Sequence, residues 1–143
     1  MKVTNAELMQ AKPALASLME LKLPVKVAWG LAQIIETLEP HMTAVEKVHQ
    51  KILTEYGEPD PSNMRRLQCL ALIPEKDDEG NVKKDDKGNV ILVVNPKHAP
   101  CMEAVGELMT QELAVNIQPI VLPENVEVET SVLLKLQKFV KVP

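Results

Sequence analysis

Leu31, Ile35, Leu38, Met42, Val45, His49, Ile52 and Tyr56 follow one another at alternating steps of three and four, in a seven-residue repeat that begins at Ala28. Only a long helix puts such positions on one stripe, and a stripe of this kind must be covered by another part of the chain or by another molecule. Ile34 and Val48 widen it beyond a two-stranded seam, which favours packing in a helical bundle or hairpin over an isolated coiled coil. The helix is predicted to start at Pro24, where the fixed proline torsion suits a first turn, and to end at Gly57. Pro40 lies opposite the seam and removes one backbone hydrogen bond, so a kinked continuous helix is expected rather than two. Trp29 sits on the polar side of this helix, where a large indole is costly to expose; it is expected to meet the first helix or, failing that, to anchor a partner.

Elsewhere the pattern is mixed. Thr4 and Glu7 have the spacing of a reciprocal helix cap and predict a short first helix, with Pro13 kinking or restarting it and Leu15, Leu18 and Met19 extending its apolar face. Residues 58–63 read as a turn-rich linker, and 67–73 as a short apolar strand. Lys76-Asp77-Asp78-Glu79-Gly80-Asn81-Val82 is nearly repeated by Lys84-Asp85-Asp86-Lys87-Gly88-Asn89-Val90, which predicts two successive turns before a β-branched strand over 91–94. Met102, Val105, Leu108 and Met109 predict a third helix from about His98 to Thr110. Alternation over 114–122 suits an edge strand. Thr130 or Ser131 is then expected to cap a last helix with Val132, Leu133, Leu136, Phe139 and Val140 on one side. The class is α+β: a helical hairpin or bundle with a long kinked helix, then a small antiparallel sheet with two further helices. One domain over residues 1–143 is expected, with a helical half over 1–57 and a mixed half over 58–143.

Aromatic residues are 2% of the chain, so the core must be aliphatic and thioether. A net charge of −4 disfavours generic binding to a phosphate backbone, and Arg65, Arg66, Lys22 and Lys26 lack interleaved aromatics for stacking on bases. The amino terminus does not read as a secretory signal and no apolar stretch approaches membrane-spanning length, so a soluble protein with Cys69 and Cys101 reduced in a cytoplasm is expected. The doubled Asp-Asp units invite calcium, but an EF-hand loop wants acids at alternate positions, Gly at the sixth and Glu at the twelfth, and neither unit supplies that complete set, so solvated turns are expected. Cys69, His98 and Cys101 contain a His-x-x-Cys pair suited to zinc but lack a fourth ligand, and His41 and His49 read as packing residues. No Gly-x-Ser-x-Gly or phosphate-cradling glycine loop is present, so no catalytic residue, cofactor or metal ligand is nominated.

Thr4-Asn5-Ala6-Glu7-Leu8, Lys22-Leu23-Pro24-Val25-Lys26-Val27-Ala28, Glu55-Tyr56-Gly57 and Glu107-Leu108-Met109-Thr110-Gln111-Glu112-Leu113 together resemble an uncharacterised family of small bacteriophage and prophage proteins. The order and spacing cover most of the chain, although extra apolar residues from Met64 to Ile73 depart from the pattern. The resemblance implies a phage or prophage origin and expression in the bacterial host cytoplasm, and implies no catalytic role for any residue.

These readings lead to a phage-encoded, non-enzymatic protein acting by protein–protein contact, as a self-assembling virion component or assembly accessory or as a binder of a host protein. Its expected contact surface is the helix seam, Trp29, Leu31, Ile35, Leu38, Met42, Val45, His49, Ile52 and Tyr56. The alternative is a small regulatory protein of a phage or prophage that binds nucleic acid through a basic face made by oligomerisation; a metal-dependent enzyme is the third reading.

Overall fold

A computed structural model describes residues 1–143 and shows a mixed α+β fold of four helices and short strands. In chain order these are β1 (Lys2–Thr4), α1 (Asn5–Met19), α2 (Val25–Tyr56), β2 (Glu58–Asp60), β3 (Asn63–Gln68), β4 (Leu72–Pro74), β5 (Leu92–Val94), α3 (His98–Thr110), β6 (Glu112–Ala114), β7 (Ile120–Val121), α4 (Thr130–Lys135) and β8 (Val140–Lys141). They gather into two compact units, one of Met1–Lys47 with Leu108–Pro143, the other of Val48–Glu107. The composition changes at Gly57, yet the units divide near Lys47 and Glu107, because the carboxy-terminal residues complete the core begun by the first two helices.

In the first unit, α1 starts with the predicted cap. The Glu7 amide donates to Thr4 Oγ1 at 3.1 Å and the Thr4 amide donates to Glu7 Oε1 at 3.2 Å, which satisfies two amides that a starting helix leaves open. Pro13 interrupts nothing, and α1 runs through it to Met19. Pro40 likewise lies inside a continuous α2, on its exposed side. Lys12 of α1 forms an exposed ion pair with Glu46 of α2.

The core joins Leu8, Leu15 and Leu18 of α1 to Leu31, Leu38, Met42 and Val45 of α2, with Leu122, Leu136, Phe139 and Val140 from the carboxy-terminal segment. The amino-terminal strand, which the residue pattern did not suggest, ties the two ends of the unit together: β1 pairs antiparallel with β6, Val3 opposite Leu113. Asn5 Nδ2 donates at 2.7 Å to the Leu108 carbonyl near the end of α3, which also accepts the Gln111 amide at 3.3 Å. Lys138 Nζ donates to the Lys2 carbonyl and to Glu7 Oε1, both at 2.9 Å.

The last helix corrects the sequence reading. α4 spans only Thr130–Lys135, its cap is Glu129 with no side-chain hydrogen bond, and Phe139 and Val140 lie beyond it. Val140 instead enters β8, which pairs parallel with β7; the Ile120 amide donates to the Phe139 carbonyl at 2.9 Å. Leu136, Phe139 and Val140 are buried as expected, but a strand carries the last of them to the core. Residues 126 and 128 alternate in sequence without forming a strand, because no neighbouring chain offers its backbone there.

The second unit is built from antiparallel pairs. Residues 58–63, expected as a linker, supply β2 and the turn into β3: Asp60 Oδ1 accepts the Ser62 amide at 2.9 Å and its hydroxyl at 2.7 Å. The apolar run 67–73 is split, its start ending β3 and its end forming β4, which pairs with β5 through Ile73 opposite Val93. Between β4 and β5 the repeat forms the two predicted turns. In each, one Asp oxygen accepts two backbone amides, those of Glu79 and Asn81 on Asp77 and those of Lys87 and Asn89 on Asp85, at 2.9–3.0 Å. Gly80 and Gly88 have φ of +86° and +82°, a region that a Cβ disfavours. At the base of the turns the eight-residue spacing closes a ring of backbone bonds: the Glu75 amide donates to the Ile91 carbonyl, Lys83 to Glu75, and Ile91 to Lys83.

Candidate functional site

The seam residues divide by burial. Leu31, Leu38, Met42 and Val45 are buried in the core of their own chain, and Ile35 packs half-buried against it. This part of the expected contact surface is therefore corrected: α1 and the carboxy-terminal segment already cover it, so no partner reaches it in the folded chain. His49, Ile52 and Tyr56 are half-buried in the second unit. Trp29 differs from all of them. It is 66% exposed, so most of the indole is left uncovered by its own chain.

Trp29 stands at an open groove of about 1070 Å³ in the first unit. One wall is the amino-terminal half of α2, with Lys26, Trp29, Gln33, Glu36 and Thr37; the other is the chain over 116–121. Gly30 makes this arrangement possible, since a Cβ there would come within 2.8 Å of Ile120 Cγ2. The second wall is extended chain on its way from β6 to β7. The Val115 amide donates to the Met1 carbonyl and the Ile120 amide to the Phe139 carbonyl, but no backbone hydrogen bond joins residues 116–119 to the rest of the chain. The groove thus combines an exposed indole, the exposed Val121, the amide side chains of Gln33, Asn116 and Gln118, and a stretch of backbone that makes no backbone hydrogen bond within the chain. Its formal charges, Lys26 and Glu36, cancel.

No protein-family model, curated protein or solved structure matches the chain. The site must be read from its chemistry.

The other sequence candidates are placed as follows. Cys69 and Cys101, expected as reduced thiols, form a disulfide with their Cα atoms 5.7 Å apart, well within bridging distance; the turn-bearing excursion between them returns the chain to its start. Neither sulfur is a thiolate in this state, and no group of three His, Cys, Asp or Glu converges for a metal. His98 lies one turn before Cys101 on α3, with a buried Nδ1 that has no hydrogen-bond partner. Asp77 and Asp85 each spend a carboxylate oxygen on their own turn. Of the basic residues, Lys22 and Lys26 belong to the first unit, and Arg65 and Arg66 lie exposed on β3 of the second. No helix is long and apolar enough to cross a membrane. The groove was not legible from the sequence beyond Trp29, because its second wall is an irregular segment with no periodicity of its own.

Proposed function

We propose that this is a phage-encoded, non-enzymatic protein that works by protein–protein contact, as a self-assembling virion component or assembly accessory, through the groove beside Trp29. The exposure of Trp29 is the observation that carries the reading, since an indole left 66% exposed beside a groove has the character of an interface anchor. The unpaired backbone at 116–119 favours an extended segment of the partner, added as a strand whose side chains meet Trp29 and Val121. The near-neutral lining favours a peptide over a polyanion, which would seek a positive groove.

The phage origin rests on the resemblance carried by the Thr4-Asn5-Ala6-Glu7-Leu8 and Lys22-Leu23-Pro24-Val25 stretches. Synthesis in the bacterial host cytoplasm goes with it. Within that reading the disulfide favours the virion over a host-protein binder that stays in a reducing cytoplasm, because disulfides persist at virion surfaces and in other oxidising settings.

Light scattering on the protein as it leaves a sizing column, over a range of concentrations, tests the assembly. We expect a defined oligomer that Trp29→Ser returns toward monomer with the helical circular dichroism unchanged. A wild-type chain that stays monomeric at every concentration sinks self-assembly.

A further inference from the structure

We infer that the Cys69–Cys101 disulfide is a redox latch for the second unit: closed, it holds Val48–Glu107 folded; opened by a thiol reductant, it releases that unit and leaves the other intact. The distribution of buried side chains carries the inference. Every buried aliphatic and aromatic residue belongs to the first unit, from Val3 to Val45 and from Val115 to Val140. In the second unit the buried residues are Cys101 and Asn95 alone. A unit of this size without an apolar core needs a covalent or metal staple, since two-stranded pairs are marginal in water.

The bridge is placed to supply that staple. It joins the residue after β3 to the first turn of α3, across a sequence separation of 32 that contains β4, both Asp-Gly-Asn turns and β5. Beside it, Asn95 does what polar groups can do: its Nδ2 donates to the Leu70 carbonyl at 2.9 Å and its amide to the Ala71 carbonyl at 2.9 Å. These two bonds hold the same pair of segments as the disulfide, and they compete with water once the bridge is open. The exposed faces add little, because Leu72, Leu92 and Val94 are at least half exposed. The first unit contains no cysteine, so a thiol has nothing to attack there.

The chemistry is thiol–disulfide exchange with a dithiol. One thiolate attacks the Cys69 sulfur, the more accessible of the two since Cys101 is fully buried; the intramolecular S–S bond breaks and Cys101 leaves as a thiolate that takes up a proton. The second thiolate of the reductant then displaces Cys69, which also takes up a proton. The dithiol is oxidised to its disulfide, and the protein gains two electrons and two protons.

Hydrogen exchange read by mass spectrometry on the full chain, with and without dithiothreitol, tests the latch. In the air-isolated protein we expect no titratable thiol and slow exchange in β3 through β5. After reduction, with two thiols titrating per chain, those amides should exchange at least about tenfold faster while α1 and the amino-terminal half of α2 keep their rates. Cys69→Ala with Cys101→Ala should show the reduced pattern without dithiothreitol, and reoxidation of the wild type should restore protection. Unchanged exchange in β3 through β5 after full reduction would overturn the inference. So would loss of protection in both units, or two free thiols in the air-isolated protein.

Discussion

Glu7 shows how much one side chain can hold together in a small unit. It closes the cap of α1, and its carboxylate also receives the Lys138 ammonium, which itself donates to the Lys2 carbonyl of β1. The Lys138 hydrogen bond, helped by the Thr4 bonds and opposed by partial burial, holds the Glu7 carboxyl below its ordinary value of 4.5. A lowered folded-state pKa means that the stabilisation is complete above the ordinary value and is lost as pH falls below it, through the folded value. Melting temperature should therefore drop more steeply on acidification below pH 4.5 for the wild type than for Glu7→Gln, as thermal melts at two pH values will read. The effect is modest because Glu7 and Lys138 are each more than a third exposed and solvent screens the pair. Gly30 acts at the same scale by making room. Its neighbour Ile120 is β-branched and stiff, so Gly30→Val should overpack the site, cost about 1–3 kcal/mol in denaturant melts and close the groove against any partner.

Whether an element holds depends on what its hydrogen bonds and its neighbours supply. The two Asp-Gly-Asn turns are nearly self-sufficient: one carboxylate oxygen takes two amides, and a glycine takes the positive φ. Gly88→Ala should cost about 1–2 kcal/mol of local stability, seen as faster exchange at Lys87 and Asn89, with the helical melt of the first unit unmoved. Such local self-sufficiency is why these turns, the α1 cap and the span of α3 could be read from the residues. β1 and β8 could not, since two or three residues become a strand only when a distant segment arrives beside them: Ala114 for Lys2, Ile120 for Val140. The predicted length of the last helix failed for the same reason. Its apolar spacing is satisfied equally by a short helix followed by a turn that delivers Phe139 and Val140 to the core.

On the scale of the whole molecule, stability is divided unevenly. The first unit has an aliphatic core in which Leu8, Leu15, Leu18, Leu31, Leu38, Leu136 and Phe139 are fully buried. Leu38→Ala should cost about 2–5 kcal/mol in denaturant melts, and Leu38→Asp should abolish the cooperative transition, because a carboxylate in that core has no partner. The second unit has its disulfide, worth about 4 kcal/mol in the chain-entropy account for a loop of this length. The sequence by itself determined the first three helices, the cap of α1 and the tandem turns, because each is decided by residues a few positions apart. It also determined that α2 would carry a long apolar stripe. Only the tertiary structure decided what covers that stripe, that Trp29 is left out of the core beside a groove, and that Cys69 meets Cys101. Each of these depends on segments far apart in the chain being brought together, and no local pattern records which segment arrives.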